Sequence, residues 1–208
     1  MPTAARRLAI SPTRSPSELL TVELPVNSEL IRIHHKGRGP VFFGPPSGSL
    51  PQNRFDAPRG EYRILYAAAR LEGAFVETVL RRPQGRILRR AYVDGRAWTI
   101  LRPRRLVVLA KIYDEGLQVH GIDASLISTD DYADSRKFAL QVFNSSPSID
   151  GLAYRSRYDN GEICYALFDR VAAVDLTAVS TERFDGKPDR VDELMERYRA
   201  VFDTSAPV

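Results

Sequence analysis

The spacing of apolar and polar positions along the 208-residue chain switches between two periods. Short apolar runs bounded by turn residues predict strands in "LIRIHH", "RILYAAA", "RRLVVLAKIY", "IDGLAYRSRY", "ICYALFD" and "AAVDLTAV". Three longer stretches carry apolar residues at helical spacing. "RLEGAFVETVLRR" predicts a helix over 70–82, with Gly73 as a weak point near its start. "YADSRKFALQVFN" predicts another over 132–144, capped by Asp130 or Asp131. "RVDELMERYRAVF" predicts a last one over 190–202, with Val191, Leu194, Met195, Tyr198 and Phe202 on one face. The stretch "GPPSGSLPQNRFDAPRGE" is too dense in glycine and proline for regular structure, and a polar loop is expected up to about Thr129. Strands outnumber helices and do not alternate with them one for one. The expected class is therefore α+β, a single domain with a mixed or antiparallel sheet flanked by helices.

Composition narrows this picture. The opening 1–20 is rich in proline, serine and arginine and reads as a flexible tail, leaving 21–208 as the domain. No apolar run approaches the roughly 20 residues that cross a bilayer, so no membrane association is expected. One cysteine, Cys164, rules out an internal disulfide and suits a reducing cytosol, so a cytoplasmic protein is expected. Net charge is +4, carried almost wholly by arginine, because the only lysines are Lys36, Lys111, Lys137 and Lys187. The arginine fork matches phosphate oxygens two at a time. A non-catalytic basic domain that binds nucleic acid is the alternative this charge raises. It is the weaker one, since the basic residues are scattered and no tract alternates aromatics with arginines.

Most sites of known chemistry are absent. His34 and His35 are adjacent, face opposite ways on a strand and cannot chelate together, so no metal site is expected. There is no G-x-S-x-G elbow, no P-loop and no G-x-G-x-x-G fingerprint. Asp150, before Gly151, reads as a turn former, and Cys164 in "ICYALF" reads as a buried small hydrophobe.

One carboxylate stands apart. Glu77 falls at the edge of the apolar arc of "AFVETVLRR", where it can rim a pocket or simply pair with Arg81 four residues on. Its company changes the balance. Arg32 lies in a strand, Arg54 ends the Gly/Pro loop in "QNRFD", Tyr66 lies in the strand eleven residues before the glutamate, and Ser156 sits in "IDGLAYRSRY". This ordered set, spread over roughly Leu30 to Phe168, resembles the RES-domain family, named for its arginine, glutamate and serine.

The resemblance implies a fold like the diphtheria-toxin-like ADP-ribosyltransferases. It also implies a toxin of a bacterial toxin–antitoxin pair that acts on NAD, with an antitoxin as partner and in some members a protein target for ADP-ribose. Carried over position by position, it assigns catalysis to Glu77, Arg32 and Ser156, and NAD binding to Arg32, Arg54, Tyr66 and Ser156. The chemistry suits these types. Arginine forks hold a pyrophosphate, an aromatic wall suits the nicotinamide, and a carboxylate stabilises the cation that forms when the nicotinamide–ribose bond breaks. Ser156 would orient the ribose or the carboxamide. Water, phosphate or a protein side chain would take the ADP-ribose, and the last of these calls for a second acid near Glu77, for which Glu72 is the nearest candidate.

Overall fold

The computed structural model describes residues 19–46, 48–81 and 86–205. Most of the expected tail, residues 1–18, lies outside them. The strands are β1 (Thr21–Leu24), β2 (Leu30–His35), β3 (Ile64–Ala68), β4 (Ile87–Leu88), β5 (Arg96–Pro103), β6 (Val107–Lys111), β7 (Gly151–Arg155), β8 (Ile163–Phe168), β9 (Leu176–Arg183) and β10 (Val201–Phe202). The helices are α1 (Leu71–Thr78), α2 (Arg90–Asp94), α3 (Glu115–Val119), α4 (Ser125–Ser128), α5 (Ala133–Ser145) and α6 (Pro188–Arg197). Eight strands form one mixed sheet in the order β1-β6-β7-β8-β3-β2-β5-β9, as an α+β domain should. Only β6 and β7 run parallel within it, joined by the crossover that carries α3, α4 and α5. One apolar cluster, with Phe55, Phe75, Phe168 and Phe184 at 0% exposure, fills the side covered by α1, α5 and α6.

Several local expectations need correction. The polar loop before Thr129 contains the short helices α3 and α4. The last helix stops at Arg197, because Arg199 takes a left-handed φ of 51° that ends the run, and Val201–Phe202 pair with β4 instead. Helix α1 closes at Thr78, where the expected pattern ran on to Arg82. The residue that caps α5 is Tyr132 and not Asp130 or Asp131; Asp131 instead accepts the backbone N–H of Ala133 at 2.9 Å in a turn just before the helix. Strand β5 had no counterpart in the sequence reading. Its inward set is Ala97, Thr99, Leu101 and Pro103, while Trp98 and Ile100 face the half-exposed side, so apolar amplitude is weakest where burial is greatest.

Two glycines and one carboxylate set the frame around the site. Gly73 lets α1 lie close to the sheet, since a Cβ there would stand 3.0 Å from the Cβ of Glu162 and 3.2 Å from that of Ala68. Asp150 is more than a turn former. It is buried, holds Arg105 through two bonds of 2.8 Å and accepts the Val108 N–H at 3.0 Å, joining β6 to the start of β7.

At Gly151, the first residue of β7, any Cβ would meet the Ala166 carbonyl at 2.2 Å. Gly151→Ala should therefore destabilise the fold by about 1–3 kcal/mol, the usual cost of forcing volume into a packed position. Urea unfolding measures this, and an unchanged midpoint would contradict the packing described.

Candidate active site

β2 and β3 are neighbours in the sheet but pair at one position only, Ile31 with Ala68. Beyond it each strand is held by its outer neighbour, β2 by β5 and β3 by β8. The parting opens a cavity of about 300 Å3 between the two strands, α1 and the loop before β3. That size suits part of a ligand as large as a dinucleotide.

Each wall has a local cause. The Gly/Pro-rich loop is irregular, as expected, yet Pro51–Asp56 is built around one carboxylate. Buried Asp56 accepts the backbone N–H groups of Gln52 (2.9 Å) and Asn53 (2.7 Å) and the Tyr66 hydroxyl (3.0 Å). The Tyr66 oxygen in turn accepts the Phe55 N–H at 3.1 Å, and Tyr62 donates to the Phe55 carbonyl at 2.9 Å. Arg136 of α5 holds the loop from the other side, donating to the carbonyls of Asn53 and Pro51. Arg54 is thereby presented to the cavity. Its guanidinium lies 4.5 Å from the centre of the Tyr132 ring and donates to the Leu126 carbonyl, and one Nη has no partner. Burial pulls the basicity of Arg54 below its ordinary value.

Arg32 enters from β2. It donates to the Tyr66 carbonyl at 3.2 Å, while its Nε is buried with no hydrogen-bond partner. Burial brings its pKa down to about 10, and no carboxylate pairs with it among the described residues. An arginine so placed is a cation without its anion.

Glu77 occupies the last turn of α1 and lines the same cavity. Burial raises its pKa, and a hydrogen bond from Ser156 opposes the shift. Arg81, Arg54 and Arg157 act on it through space, also lowering it. The expected alternative, a pairing of Glu77 with Arg81, does not form: Arg81 donates to the Asn53 side chain at 3.1 Å. A helix C-terminus is itself a poor place for a carboxylate, since the aligned peptide dipoles point their negative end there.

Ser156 is completely buried behind Glu77 and does not line the cavity. Its oxygen accepts the N–H groups of Tyr158 (3.1 Å) and Asp159 (3.3 Å). With both lone pairs engaged, the hydroxyl proton is left to point at Glu77. The turn that supplies these amides is anchored by Tyr198, the residue just after α6, which donates to the Asp159 carboxylate at 3.0 Å. Glu72 is directed elsewhere: it accepts from Arg190 of α6 at 2.8 Å and does not line the cavity.

Arg32, Arg54, Tyr66 and Glu77 thus converge on one cavity, and Ser156 reaches it through Glu77. Sequence reading missed Arg96, Tyr132, Tyr154, Arg157 and Tyr158, which line the same space. The strip "YRSRY" around Ser156 held the only local hint, two residues of each kind beside the serine. His34 is buried and bonded to Thr99 at 2.9 Å, which bonds Thr181 at 2.7 Å, and Cys164 is buried with its thiol pKa pushed well up. Among the described residues no group of three or more histidine, cysteine or acidic side chains could hold a metal, and no helix is long and apolar enough to cross a membrane.

Comparison with known proteins agrees with this architecture. Residues 29–186 match the RES domain, and the chain belongs to that family. Among solved structures, a chain of the M. tuberculosis MbcT-MbcA toxin-antitoxin complex shares the fold with a TM-score of 0.66 at 12% identity; the match covers 86% of this chain and 93% of that one. No curated protein matches.

The raised Glu77 carboxyl has a consequence for stability. The folded protein holds that proton to higher pH than the unfolded chain does, so ionised Glu77 costs stability once the pH passes the ordinary value of 4.5. Glu77→Gln should unfold at a higher temperature than the parent at pH 7, with the advantage gone below about pH 4.5. Thermal unfolding at the two pH values checks this, and a variant less stable at pH 7 would contradict the electrostatic account.

Proposed function

We propose that this RES protein is the toxin of a bacterial toxin–antitoxin pair and that it cleaves the nicotinamide–ribose bond of NAD. One observation carries the reading: buried guanidinium groups with unmatched N–H donors face a cavity whose lining contains a single carboxylate, Glu77. Cations held without anions suit a ligand that brings phosphates. NAD is the substrate in this reading, and no metal is invoked.

The roles follow from placement. Arg32 and Arg54, which line the cavity without a carboxylate partner, take pyrophosphate oxygens. The ring of Tyr66, fixed by its hydroxyl bonds to Phe55 and Asp56, offers a wall for the flat nicotinamide. As the glycosidic C–N bond breaks, its electron pair leaves with nicotinamide and positive charge gathers on the ribose. The Glu77 carboxylate faces that charge, in a site drier than water and so electrostatically stronger. Ser156 serves as a positioning residue, holding the carboxylate from behind, which replaces the expectation that it meets the ribose directly.

For the acceptor, the pairing of Glu72 with Arg190 leaves Glu77 without a second acid in the cavity lining. That favours water or phosphate, which would deplete NAD, over transfer to a protein side chain. Attack of water at the ribose carbon yields ADP-ribose and a proton; attack of phosphate yields the phosphorylated sugar. Similarity in fold to a chain of a toxin–antitoxin complex supports a cognate antitoxin as partner. The alternative of a nucleic-acid-binding domain draws less support, because these guanidinium groups converge inside a cavity.

Purified protein incubated with NAD, with and without phosphate, should release nicotinamide. Glu77→Gln should lower the rate by roughly 100- to 1000-fold, the usual loss on removing one preorganised charge-stabilising group. Arg32→Ala should raise KM. Nicotinamide release by Glu77→Gln at the parent rate would overturn the assignment of Glu77.

A further inference from the structure

The tyrosines that line the cavity differ in what their hydroxyls do. Tyr66 donates to Asp56 and Tyr92 to the Thr78 carbonyl, so those two are committed to the protein. Tyr154, in β7, is not. The residue is 6% exposed, and its ring meets that of Phe55 edge-on, with centroids 5.0 Å apart and planes at 65°. Its hydroxyl makes no hydrogen bond with any described residue. Nor is that oxygen sealed away, as the Arg32 Nε is, so it opens onto the cavity that the residue lines. A tyrosine hydroxyl this far inside a protein ordinarily finds a partner. One left unbonded and facing a cavity is a donor held for something that binds there.

Strand alternation fixes where that donor stands. Arg155 turns outward, to Asp114 and the Asn160 carbonyl, which leaves Tyr154 and Ser156 buried together on the other side. Ser156 is the residue that donates to Glu77. Burial raises the pKa of Tyr154 well above its ordinary value, and Glu77 is the charge that adds most to the rise. Arg54, next to Phe55, acts on the hydroxyl more weakly. The hydroxyl and the carboxylate therefore share one part of the cavity, and the hydroxyl keeps its proton there. An ionised carboxylate can only accept a hydrogen bond, and this hydroxyl is free to donate one. A sugar hydroxyl needs both, since it gives its proton to the carboxylate while its oxygen receives the tyrosine's.

From this arrangement we infer that Tyr154 is a further substrate-contacting residue, whose hydroxyl donates to an oxygen of the ribose held at Glu77. The assignment rests on the reading of the site as one for NAD. It separates recognition of the sugar from recognition of the phosphates: the guanidinium groups take the charge, and Tyr154 with Glu77 holds the ribose that loses nicotinamide.

Calorimetric titration of the full chain with ADP-ribose and, separately, with ADP tests this, because only the former carries that ribose. Tyr154→Phe keeps the ring against Phe55 and removes one oxygen. It should weaken ADP-ribose binding roughly three- to tenfold, the usual worth of one neutral hydrogen bond, and leave ADP binding unchanged. Without ligand the variant should melt at the parent temperature or above it, since the lost O–H had no partner in the protein. Unaltered affinity for ADP-ribose, equal weakening of both ligands, a lower melting temperature, or a parent that does not bind ADP-ribose would each overturn the assignment. A parent that binds ADP-ribose through Tyr154 but releases no nicotinamide from NAD would refute the cleavage reading alone and leave the role of Tyr154 standing.

Discussion

The single contact between β2 and β3 is the constraint on which the site depends. A sheet that zipped fully at this point would bring the two backbones together and leave no room for side chains between them. Because Ile31 and Ala68 make the only pairing between the two strands, the inward backbone groups of β3 find other partners, Ile64 with Gly44 and the Tyr66 carbonyl with Arg32, and the wedge is filled by Arg32 and the face of Tyr66. Burying guanidinium groups there without carboxylates is costly, as the lowered pKa of Arg32 reflects. Proteins retain such costs mainly where function needs them.

The rest of the fold holds that costly arrangement in place. Asp56 converts a glycine- and proline-rich segment into a compact turn that aims Arg54, and Tyr66 joins the turn to the sheet. On the other side, a relay from Tyr198 through Asp159 to Ser156 fixes the carboxylate of Glu77. Neither relay touches the cavity with a charge of its own. Both act by using up the competing bonds of the groups they support, so that Ser156 is left with one direction in which to donate and Tyr66 with one place for its ring.

The order of chemistry along the chain was legible before the fold was known. Glu77, Arg32, Arg54 and Tyr66 were selected through the resemblance of their ordered set to the RES-domain family, and the fold gathers them around one space. Ser156 was selected for a direct role, yet its hydroxyl lies behind the glutamate, a placement that spacing in "YRSRY" has no means of encoding. Arg96 escaped notice because β5 itself did. The buried face of that strand holds a single large apolar residue, Leu101, beside Ala97, Pro103 and Thr99, which is satisfied by His34 and Thr181, while Trp98 and Ile100 lie on the half-exposed face, so its period-two signal is weak. Tyr132 and Arg157 are brought in by the crossover through α5 and by the turn after β7, contacts between distant segments that local pattern does not report. The short helices α3 and α4 fell within a stretch too polar and too short to show a helical stripe.

The central claim is that unpaired cations and one raised carboxylate form a site that breaks NAD. A proton NMR time course of NAD mixed with the purified chain tests it most directly, because the nicotinamide ring resonances report the state of the glycosidic bond. The account predicts steady conversion to the free nicotinamide spectrum at a rate well above a protein-free control. A spectrum that stays that of intact NAD, in the presence and absence of phosphate, would contradict it.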